Sequence, residues 1–427
     1  MLYHYQRDSH MHILFLTDNF PPECNAPATR THEHAMRWVE AGHQVTIVTG
    51  APNFPQGKVY EGYQNRWYHS SQEFGMTVVR VKTYIAANEG FLPRILDYIS
   101  FMIAGALAAC FQRKPDVVIA TSPQFFCALA GWFTATVRRK PFVLEIRDLW
   151  PASIVAVGAM RPGLFIRLME KLELMMYRHA TRIVVVTRAF KRDMVQRGIK
   201  ADKISVVFNG VDPRLFRPME KSATLLDRHQ LEGRFVVGYI GTMGLAHDLG
   251  NVLKAARQLI PEEQIGFLFV GAGAEADNVR HTIQNDGVSN ARFVAQCPRK
   301  EIPALLNLCD LWIVPLRNTD VFRTVIPSKL FECMAAGVPV IMSIPEGEAT
   351  AIVESTGCGL VVAPEDPAAL AAAIERLRAE PQLLQQMKDN CIKAAALYSR
   401  DQLALDMFTV IEQATSGTST TPASQCP

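Results

Sequence analysis

The chain has 427 residues, and 49% of them are hydrophobic, which is enough to fill the cores of two or three domains. Its 44 Lys and Arg residues nearly balance its 41 Asp and Glu residues, so it lacks the strongly basic character that bulk nucleic-acid binding requires. Its 9 cysteines show no C-x-x-C spacing, which argues against a zinc site or a disulfide framework and favours buried thiols in a reducing, cytoplasmic compartment.

Two series of apolar runs alternate with amphipathic stretches along the chain. Each run is continuous and rich in β-branched residues, as in buried parallel strands. The first series comprises HILFLTD, HQVTIVTG, MTVVRVK, PDVVIAT, KPFVLEIRD, TRIVVVT and KISVVFNG, and the second comprises RFVVGYIG, IGFLFVGAG, ARFVAQ, DLWIVPL, PVIMSI and GLVVAP. This alternation predicts an α/β fold of two doubly wound, Rossmann-like domains that face each other across a ligand-binding cleft.

The boundary between the two series lies near residues 209–234, where two prolines and a charge cluster interrupt the pattern. The predicted organisation is an N-terminal domain at 11–212, a linker at 213–232, a C-terminal domain at 233–398, a C-terminal helix at 399–414 and a tail at 415–427. We expect the helix to pack back on the N-terminal domain and the Ser/Thr/Pro-rich tail to be disordered. Residues 1–10 are polar and do not form a signal peptide; they are either a start-site artefact or a loose arm.

In the first domain, the stretch TDNFPPECNAPATR predicts a strand end, a Pro-rich loop and a helix. Glu23 and Arg30 bracket that loop, where a carboxylate can act as a base and an arginine can hold a phosphate. An ordinary surface loop is the alternative. The next loop, 51–74, has no period and contains several aromatic residues, which is typical of functional or mobile loops.

Three further stretches of the first domain suggest contacts with ligands or lipid. LEIRDLWPAS puts Arg147 and Asp148 at the carboxyl end of a strand, which favours a functional role over an N-cap or a structural ion pair. The apolar run 98–111 is shorter than the roughly 20 residues of a membrane span, so it predicts either a buried helix or a membrane contact. In 161–182, basic and apolar residues share one side of a predicted helix, which suits an anionic membrane surface, although a surface helix packed on the sheet is the alternative.

In the second domain, Gly238, Gly241 and Gly244 are three residues apart around the end of the first strand. Such glycines allow a ligand to approach the backbone, but the pattern is not G-x-G-x-x-G, and tight packing between strand and helix is the alternative. Further along, RFVAQCPRKEIP places Arg299 at the start of a helix after a strand, where the backbone can read a base edge. That stretch can also be a plain connection. The chain contains no D-x-D motif, nucleophile elbow or P-loop.

The stretch DVFRTVIPSKLFECMAAGVPV carries the most information about function. Ser328 is a predicted N-cap, Lys329 lies in the first turn of the helix, and Glu332 lies one turn further on. A cation at a helix start opposes the macrodipole, which suggests that an anion binds there. Lys329 and Arg323 can hold a diphosphate, and Glu332 can accept hydrogen bonds from two ribose hydroxyls. A solvated helix with ordinary charges is the alternative.

Several motifs occur together and in order: the PPE loop, GHQVTIVTG, VVVTRAF, FNGVD, VGAG, PSKLFECMAAGVPVI and CGLVVAPEDP. From about Met11 to Arg400 the chain resembles the retaining GT-B glycosyltransferases of glycosyltransferase family 4. In detail it resembles the subgroup that adds amino sugars, such as N-acetyl-L-fucosamine, during O-antigen or capsule assembly.

The resemblance implies that the second domain holds a nucleotide-sugar donor through an E-x7-E motif. Glu332 matches its second glutamate, which binds ribose, whereas Thr324 replaces the first, which meets the sugar. The family's arginine and lysine after the first strand of this domain are also missing, since Thr242 stands in that turn, and Arg323 and Lys329 are our substitute cations. The sequence RDLWP replaces a loop histidine of the first domain. The predicted donor-binding residues are Gly241, Thr242, Arg299, Arg323, Ser328, Lys329 and Glu332.

The implied reaction is front-face displacement with retention, without metal or cofactor, in which cations and helix N–H groups stabilise the leaving diphosphate. Asp148 or Glu23 would orient or deprotonate the acceptor, and Arg30 and Arg147 would bind it. The implied partners are a UDP-sugar and a polyprenyl-diphosphate-linked or other glycan acceptor, at the inner face of the plasma membrane. A UDP-N-acetylhexosamine 2-epimerase on a similar fold and a non-catalytic membrane scaffold are the alternatives.

Overall fold

The computed structural model describes residues 10–54, 57–85, 91–122, 124–151 and 163–417. The chain divides into two compact units: the first ends at Phe208 and takes up the chain again from Arg400, and the second runs from Asn209 to Ser399. The expectations for residues 1–9 and for the tail from 418 onwards lie outside the described residues.

Both units are built around a sheet whose strands follow the predicted apolar runs. The strands are β1 (His12–Leu16), β2 (Gln44–Gly50), β3 (Tyr68–Glu73), β4 (Met76–Val81), β5 (Val117–Ser122), β6 (Phe142–Ile146), β7 (Arg182–Val185), β8 (Ile204–Val206), β9 (Phe235–Ile240), β10 (Ile265–Gly271), β11 (Ala291–Ala295), β12 (Leu311–Pro315), β13 (Val340–Ser343) and β14 (Gly359–Val362). The first sheet has the order β3-β4-β2-β1-β5-β6-β7-β8, and the second has the order β11-β10-β9-β12-β13-β14. All neighbouring strands are parallel except β3 and β4.

Helices connect these strands. Their bounds are α1 (Ala26–Glu40), α2 (Phe91–Cys110), α3 (Phe125–Arg138), α4 (Leu164–His179), α5 (Arg188–Gln196), α6 (Ala223–Arg228), α7 (Leu249–Gln258), α8 (Ala276–Asn285), α9 (Ile302–Leu306), α10 (Lys329–Ala336), α11 (Glu348–Thr356), α12 (Pro367–Ala379), α13 (Pro381–Ala395) and α14 (Arg400–Ser416). In the first unit, α2, α3 and α4 pack on one face of the sheet, whereas α14 packs on the other. The segment predicted as a linker contains α6, whose N-cap is Ser222.

The α/β prediction of two Rossmann-like, mostly parallel sheets is confirmed. The prediction of a loop over residues 51–74 is wrong in one respect, because the last part of this segment forms the edge strand β3, antiparallel to β4. Its side chains, YHSSQE, are polar and mainly exposed, so the strand has no apolar run to reveal it. An edge strand pairs on one side only, and hydrophobic patterning does not have to mark it.

The C-terminal helix α14 belongs to the first unit. Trp38 Nε1 on α1 donates to Ala404 O at 3.0 Å, and Arg400 Nε pairs with Glu33 at 2.7 Å in a buried setting. The His43 ring stacks on Phe408 at 4.3 Å. These contacts attach α14 to α1 and to the turn that follows α1.

Candidate active site

Two loops meet at the carboxyl edge of the second sheet, where ligands bind in doubly wound folds. Gly241 N donates to Val270 O at 2.8 Å, and Met243 N donates to Ala272 O at 2.8 Å, so the turn after β9 is joined to the loop after β10. A Cβ at Gly271 would lie 1.9 Å from Gly241 O, which leaves room only for glycine. Because the Gly241 amide is already bonded, this residue contributes close packing rather than a donor for a ligand.

Lys329 extends from α10 across the turn after β9. Its Nζ donates to Tyr239 Oη at 2.9 Å and lies 4.0 Å from the centre of the Tyr239 ring. A Cβ at Gly241 would lie 2.4 Å from Lys329 Cε, so the glycine leaves space for the lysine side chain. A helix that follows β12 thus supplies the cation at the end of β9, where the turn has no lysine or arginine of its own.

The surroundings of Lys329 change its electrostatics. Burial lowers its pKa to about 8, although Glu332 and Cys333 act in the opposite direction. Burial and the charge of Lys329 lower the pKa of His247 to about 4, so His247 is neutral at pH 7. Lys329 remains mostly protonated at that pH, and a cation in a poorly solvated pocket attracts an anion more strongly than one in water. The pocket therefore suits a phosphate group.

The start of α10 places Glu332 three residues after Lys329, on neighbouring positions of the helix surface. Ser328 occupies the N-cap position, as predicted, but its backbone is already helical and its side chain makes no capping hydrogen bond. Leu330 N donates instead to Pro327 O at 3.1 Å. The Ser328 side chain is exposed and is not used to begin the helix.

The other predicted donor-binding residues lie around the same edge of the sheet. Arg323 is 51% exposed and pairs with Asp320 at 3.0 Å within its own loop, so it is a weaker candidate for the diphosphate than Lys329. Thr242 is exposed, and its carbonyl accepts a hydrogen bond from the Tyr239 hydroxyl. Arg299 begins a 3-10 turn after β11 and is half-buried.

In the first unit, Arg30 is buried rather than available to an acceptor. Its Nε pairs with Glu145 Oε1 at 2.8 Å, and both side chains are almost fully buried. Its terminal nitrogens donate to Phe208 O at 2.6 Å and Val207 O at 3.0 Å. The structure therefore does not support the prediction that Arg30 binds the acceptor; its guanidinium joins α1, β6 and the segment after β8.

Glu23 is likewise part of the framework. Its Oε1 accepts from Asn53 N at 2.9 Å and Phe54 N at 2.8 Å, and its Oε2 accepts from Asn19 Nδ2 at 3.1 Å and Phe20 N at 3.2 Å. Glu23 is buried, and both of its carboxylate oxygens already accept hydrogen bonds from neighbouring loop groups. The structure therefore favours a role in joining the loops after β1 and β2 over the predicted catalytic role.

Arg147 and Asp148 do lie at the carboxyl edge of the first sheet, directly after β6. Arg147 Nε donates to Ser122 O at 3.3 Å, and burial lowers the pKa of the Arg147 guanidinium to about 10 while Glu145 opposes that shift. Both residues are half-buried. Their position agrees with the acceptor-binding and catalytic roles predicted for them, which remain predictions.

Asp18 is a candidate that the sequence reasoning missed. It follows β1 at the same edge of the first sheet and is half-buried. Burial, together with Asp97 and Glu23, raises the pKa of its carboxyl well above the usual range. A carboxyl perturbed in this way can take part in proton transfer closer to neutral pH. Its signal in the sequence is the acidic residue that closes the run HILFLTD.

The helices on one face of the first sheet leave large apolar side chains exposed. We define the apolar face as Ile103, Leu107, Phe111, Phe133, Val137, Leu164 and Leu168. The members on each helix are spaced four residues apart, and Phe111 and Leu164 are both 85% exposed. Exposed basic residues lie on the same helices or next to them: Arg113, Arg139, Arg167 and Lys171. The run at 98–111 is therefore a helix that is only partly buried.

Two features are absent from the described ranges of the chain. His, Cys, Asp and Glu side chains there form no group of three or more that could hold a metal ion. None of the helices in those ranges is long and apolar enough to cross a bilayer.

Two family models match successive parts of the chain: Glycosyltransferase Family 4 over residues 27–215 and Glycosyl transferases group 1 over residues 224–394. WcaI of Escherichia coli (strain K12), whose name assigns it to colanic acid biosynthesis as a glycosyl transferase, is 27% identical over 86% of this chain and 92% of its own length. WbjE of Pseudomonas aeruginosa, named as a glycosyltransferase, is 28% identical over 62% of this chain and 66% of its own.

Among solved structures, Anabaena Alr3699/HepE in complex with UDP and glucose is similar in fold. Its TM-score is 0.71 at 17% sequence identity, and the match covers 95% of this chain and 100% of that chain.

Proposed function

We propose that this chain, a glycosyltransferase with a GT-B fold that carries a family 4-type and a group 1 domain, transfers a sugar from a UDP-sugar during cell-surface polysaccharide synthesis. The epimerase and the non-catalytic scaffold are not supported, because both family models and the named relatives are glycosyltransferases. The polysaccharide context comes from the name of WcaI, and the choice of UDP comes from the ligand of HepE. The subgroup resemblance favours an N-acetylated amino sugar.

The observation that carries the donor site is the Lys329 side chain, held in a poorly solvated position at the end of β9. In the proposed complex, the Lys329 ammonium contacts the donor diphosphate and Glu332 accepts hydrogen bonds from the ribose hydroxyls. Ser328 lies beside them at the start of the same helix. Thr324 offers a hydroxyl where a carboxylate would otherwise meet the sugar.

The proposed reaction retains the anomeric configuration and uses no metal ion. The bond between the anomeric carbon and the diphosphate oxygen breaks while the acceptor oxygen attacks from the same face. Negative charge grows on the leaving diphosphate, where the Lys329 ammonium stabilises it. The acceptor hydroxyl gives its proton either to the leaving diphosphate or to a carboxylate, for which Asp148 and Asp18 are the candidates.

We also propose that the acceptor is linked to a polyprenyl diphosphate. The apolar face, with its exposed arginines and lysine, has the composition of a surface that binds an anionic membrane. Such binding would keep the first unit at the membrane surface, where a lipid-linked acceptor is presented. Arg147 at the edge of the first sheet is the candidate for acceptor binding.

A thermal-shift screen of UDP-, GDP- and TDP-sugars tests the donor assignment, followed by a transfer assay with lipid-linked N-acetylglucosamine. A UDP-sugar at 100 times its Kd should add about 2.7 kcal/mol to the free energy of unfolding. Transfer with retained anomeric configuration should follow. A shift with only a non-UDP donor, or no shift with any of the sugars, would overturn the donor assignment.

A further inference from the structure

We propose that Tyr239 is a positioning residue for sugar transfer, because its hydroxyl holds the Lys329 ammonium over the Gly241 turn in the orientation in which it meets the leaving diphosphate. This inference rests on the proposed function and concerns a residue that neither the sequence motifs nor the comparisons single out.

The direction of the hydrogen bonds supports this role. The Tyr239 hydroxyl donates its proton to Thr242 O. An ammonium can only donate, so Lys329 Nζ must donate to a lone pair of the same oxygen, at 2.9 Å. With its proton engaged by the backbone, the tyrosine oxygen presents an acceptor in a defined direction. The Lys329–Tyr239–Thr242 chain thus has a single donor-to-acceptor order.

The pocket also restricts the long lysine side chain. Fixing a free lysine costs rotamer entropy, which would otherwise oppose each binding event. Here the ring of Tyr239 lies 4.0 Å from Nζ, and Gly241 leaves space beside Cε. Tyr239 itself is 1% exposed on the central strand β9, so it is a rigid support. The lysine is oriented before the donor arrives.

Lys329 keeps donors for a ligand. An ammonium has three N–H donors, and Tyr239 Oη is the hydrogen-bond partner found for Nζ among the described residues. The other donors can therefore contact phosphate oxygens. Tyr239 also touches His247, with ring centres 6.2 Å apart, and Gly244 N donates to His247 Nδ1 at 3.3 Å. The tyrosine thereby joins α10 to the whole turn after β9.

Tyr239→Phe tests the proposal, because it keeps the ring and removes only the hydroxyl. We expect kcat to fall about tenfold with less than about a threefold change in the donor KM, since the hydroxyl acts on a charge contact that strengthens in the transition state. In a Lys329→Met background the same change should have no further effect, because a residue that acts through Lys329 has nothing left to position. Equal, additive losses in both backgrounds would overturn the proposal.

The pH profile supplies a second readout. The groups that face Lys329 are Glu332 and Cys333 on α10, Tyr239 on β9 and His247 after it. Activity should fall above about pH 8 as Lys329 loses its proton, and Tyr239→Phe should move this alkaline limb to lower pH, because a hydrogen bond to the charged form has been removed. An unmoved limb would contradict the proposal.

Tyr177→Phe is the matched control. Tyr177 is also 1% exposed, and its hydroxyl donates to Glu173 Oε1 at 2.6 Å in the first unit. This variant should change Tm but leave kcat, the donor KM and the alkaline limb of the pH profile unchanged. If the wild-type chain neither binds nor uses a UDP-sugar, the proposed function fails; if it does and Tyr239→Phe behaves like the control, only the role of Tyr239 fails.

Discussion

Replacing Lys329 with methionine should make the unliganded protein more stable and the enzyme much less active. A pKa lowered from 10.5 to about 8 means that the folded chain disfavours the charged ammonium by on the order of 3 kcal/mol. Methionine has a similar length and no charge, so it fits the same path over Gly241 without that penalty. We therefore expect a Tm a few degrees higher at pH 7, less than the full penalty because the contact with the Tyr239 hydroxyl is lost.

The same substitution should remove a pH dependence of stability. Between pH 8 and 10.5 the unfolded chain holds the Lys329 proton more tightly than the folded chain does. The free energy of unfolding of the wild-type chain should therefore rise with pH across that window, and the rise should be absent in Lys329→Met. Differential scanning calorimetry at a series of pH values measures both quantities.

The activity and the UDP affinity of Lys329→Met should fall, although its Tm rises. Loss of a cation that stabilises a leaving group typically lowers kcat by about 10²–10³-fold, and UDP binding should weaken as well. Transfer assays and calorimetric titration with UDP measure these effects. Lys254→Met is the control, because Lys254 is an exposed lysine on α7 of the same unit, and it should alter neither Tm nor kcat appreciably. A destabilised Lys329→Met variant with normal UDP affinity would refute both the burial reasoning and the donor site.

Glu332→Gln should weaken UDP binding at least about tenfold in calorimetric titration with little change in Tm, because a neutral amide accepts hydroxyl hydrogen bonds less strongly than a carboxylate; unchanged affinity would place the ribose elsewhere. Leu107→Glu combined with Leu164→Glu should abolish flotation with anionic liposomes at low salt while preserving transfer to a water-soluble acceptor, and retained flotation would exclude the apolar face as the membrane contact. Asp18→Asn should raise Tm at pH 7. Folding raises the pKa of the Asp18 carboxyl, so the wild-type chain loses stability as the pH rises from the unfolded-state pKa to the folded-state pKa, and asparagine removes this loss. The variant should also lack the acid limb of the pH–rate profile, and an unchanged profile would exclude Asp18 as a proton carrier.

Most strands could be predicted because parallel strands are buried on both faces and appear as continuous apolar runs. The edge strand β3 could not, since its polar side chains lie mainly in solvent and its formation depends on pairing with β4. A similar reason limited the prediction for the apolar run at 98–111. Hydrophobicity indicated a helix there, but Ile103, Leu107 and Phe111 are exposed, which depends on how α2 packs on its neighbours.

Charged residues were harder to assign than strands, because loop position alone does not reveal their partners. Glu23 and Arg30 flank the loop after β1 as expected, yet four donors surround Glu23, and Glu145 and two carbonyls hold Arg30. The donors to Glu23 include backbone groups some 30 residues away, and Glu145 lies 115 residues from Arg30. Asp18 was missed for the converse reason, since its environment comes from Asp97 on α2 and from burial at the strand end.

Lys329 supplies a cation from a neighbouring helix at the turn after β9, where the family resemblance leads one to expect an arginine and a lysine in the turn itself. A glycine at 241 and an uncharged threonine at 242 leave the turn after β9 without a positive charge, but the glycine gives a neighbouring lysine room to cross it. Tyr239 then holds that lysine from below the turn, on the strand itself. Placing a lysine or arginine at 242 while keeping Lys329 would bring two cations close together in a poorly solvated pocket, which costs stability unless an anion is bound. The uncharged turn and the buried lysine are therefore a consistent pair, and each explains why the other is tolerated.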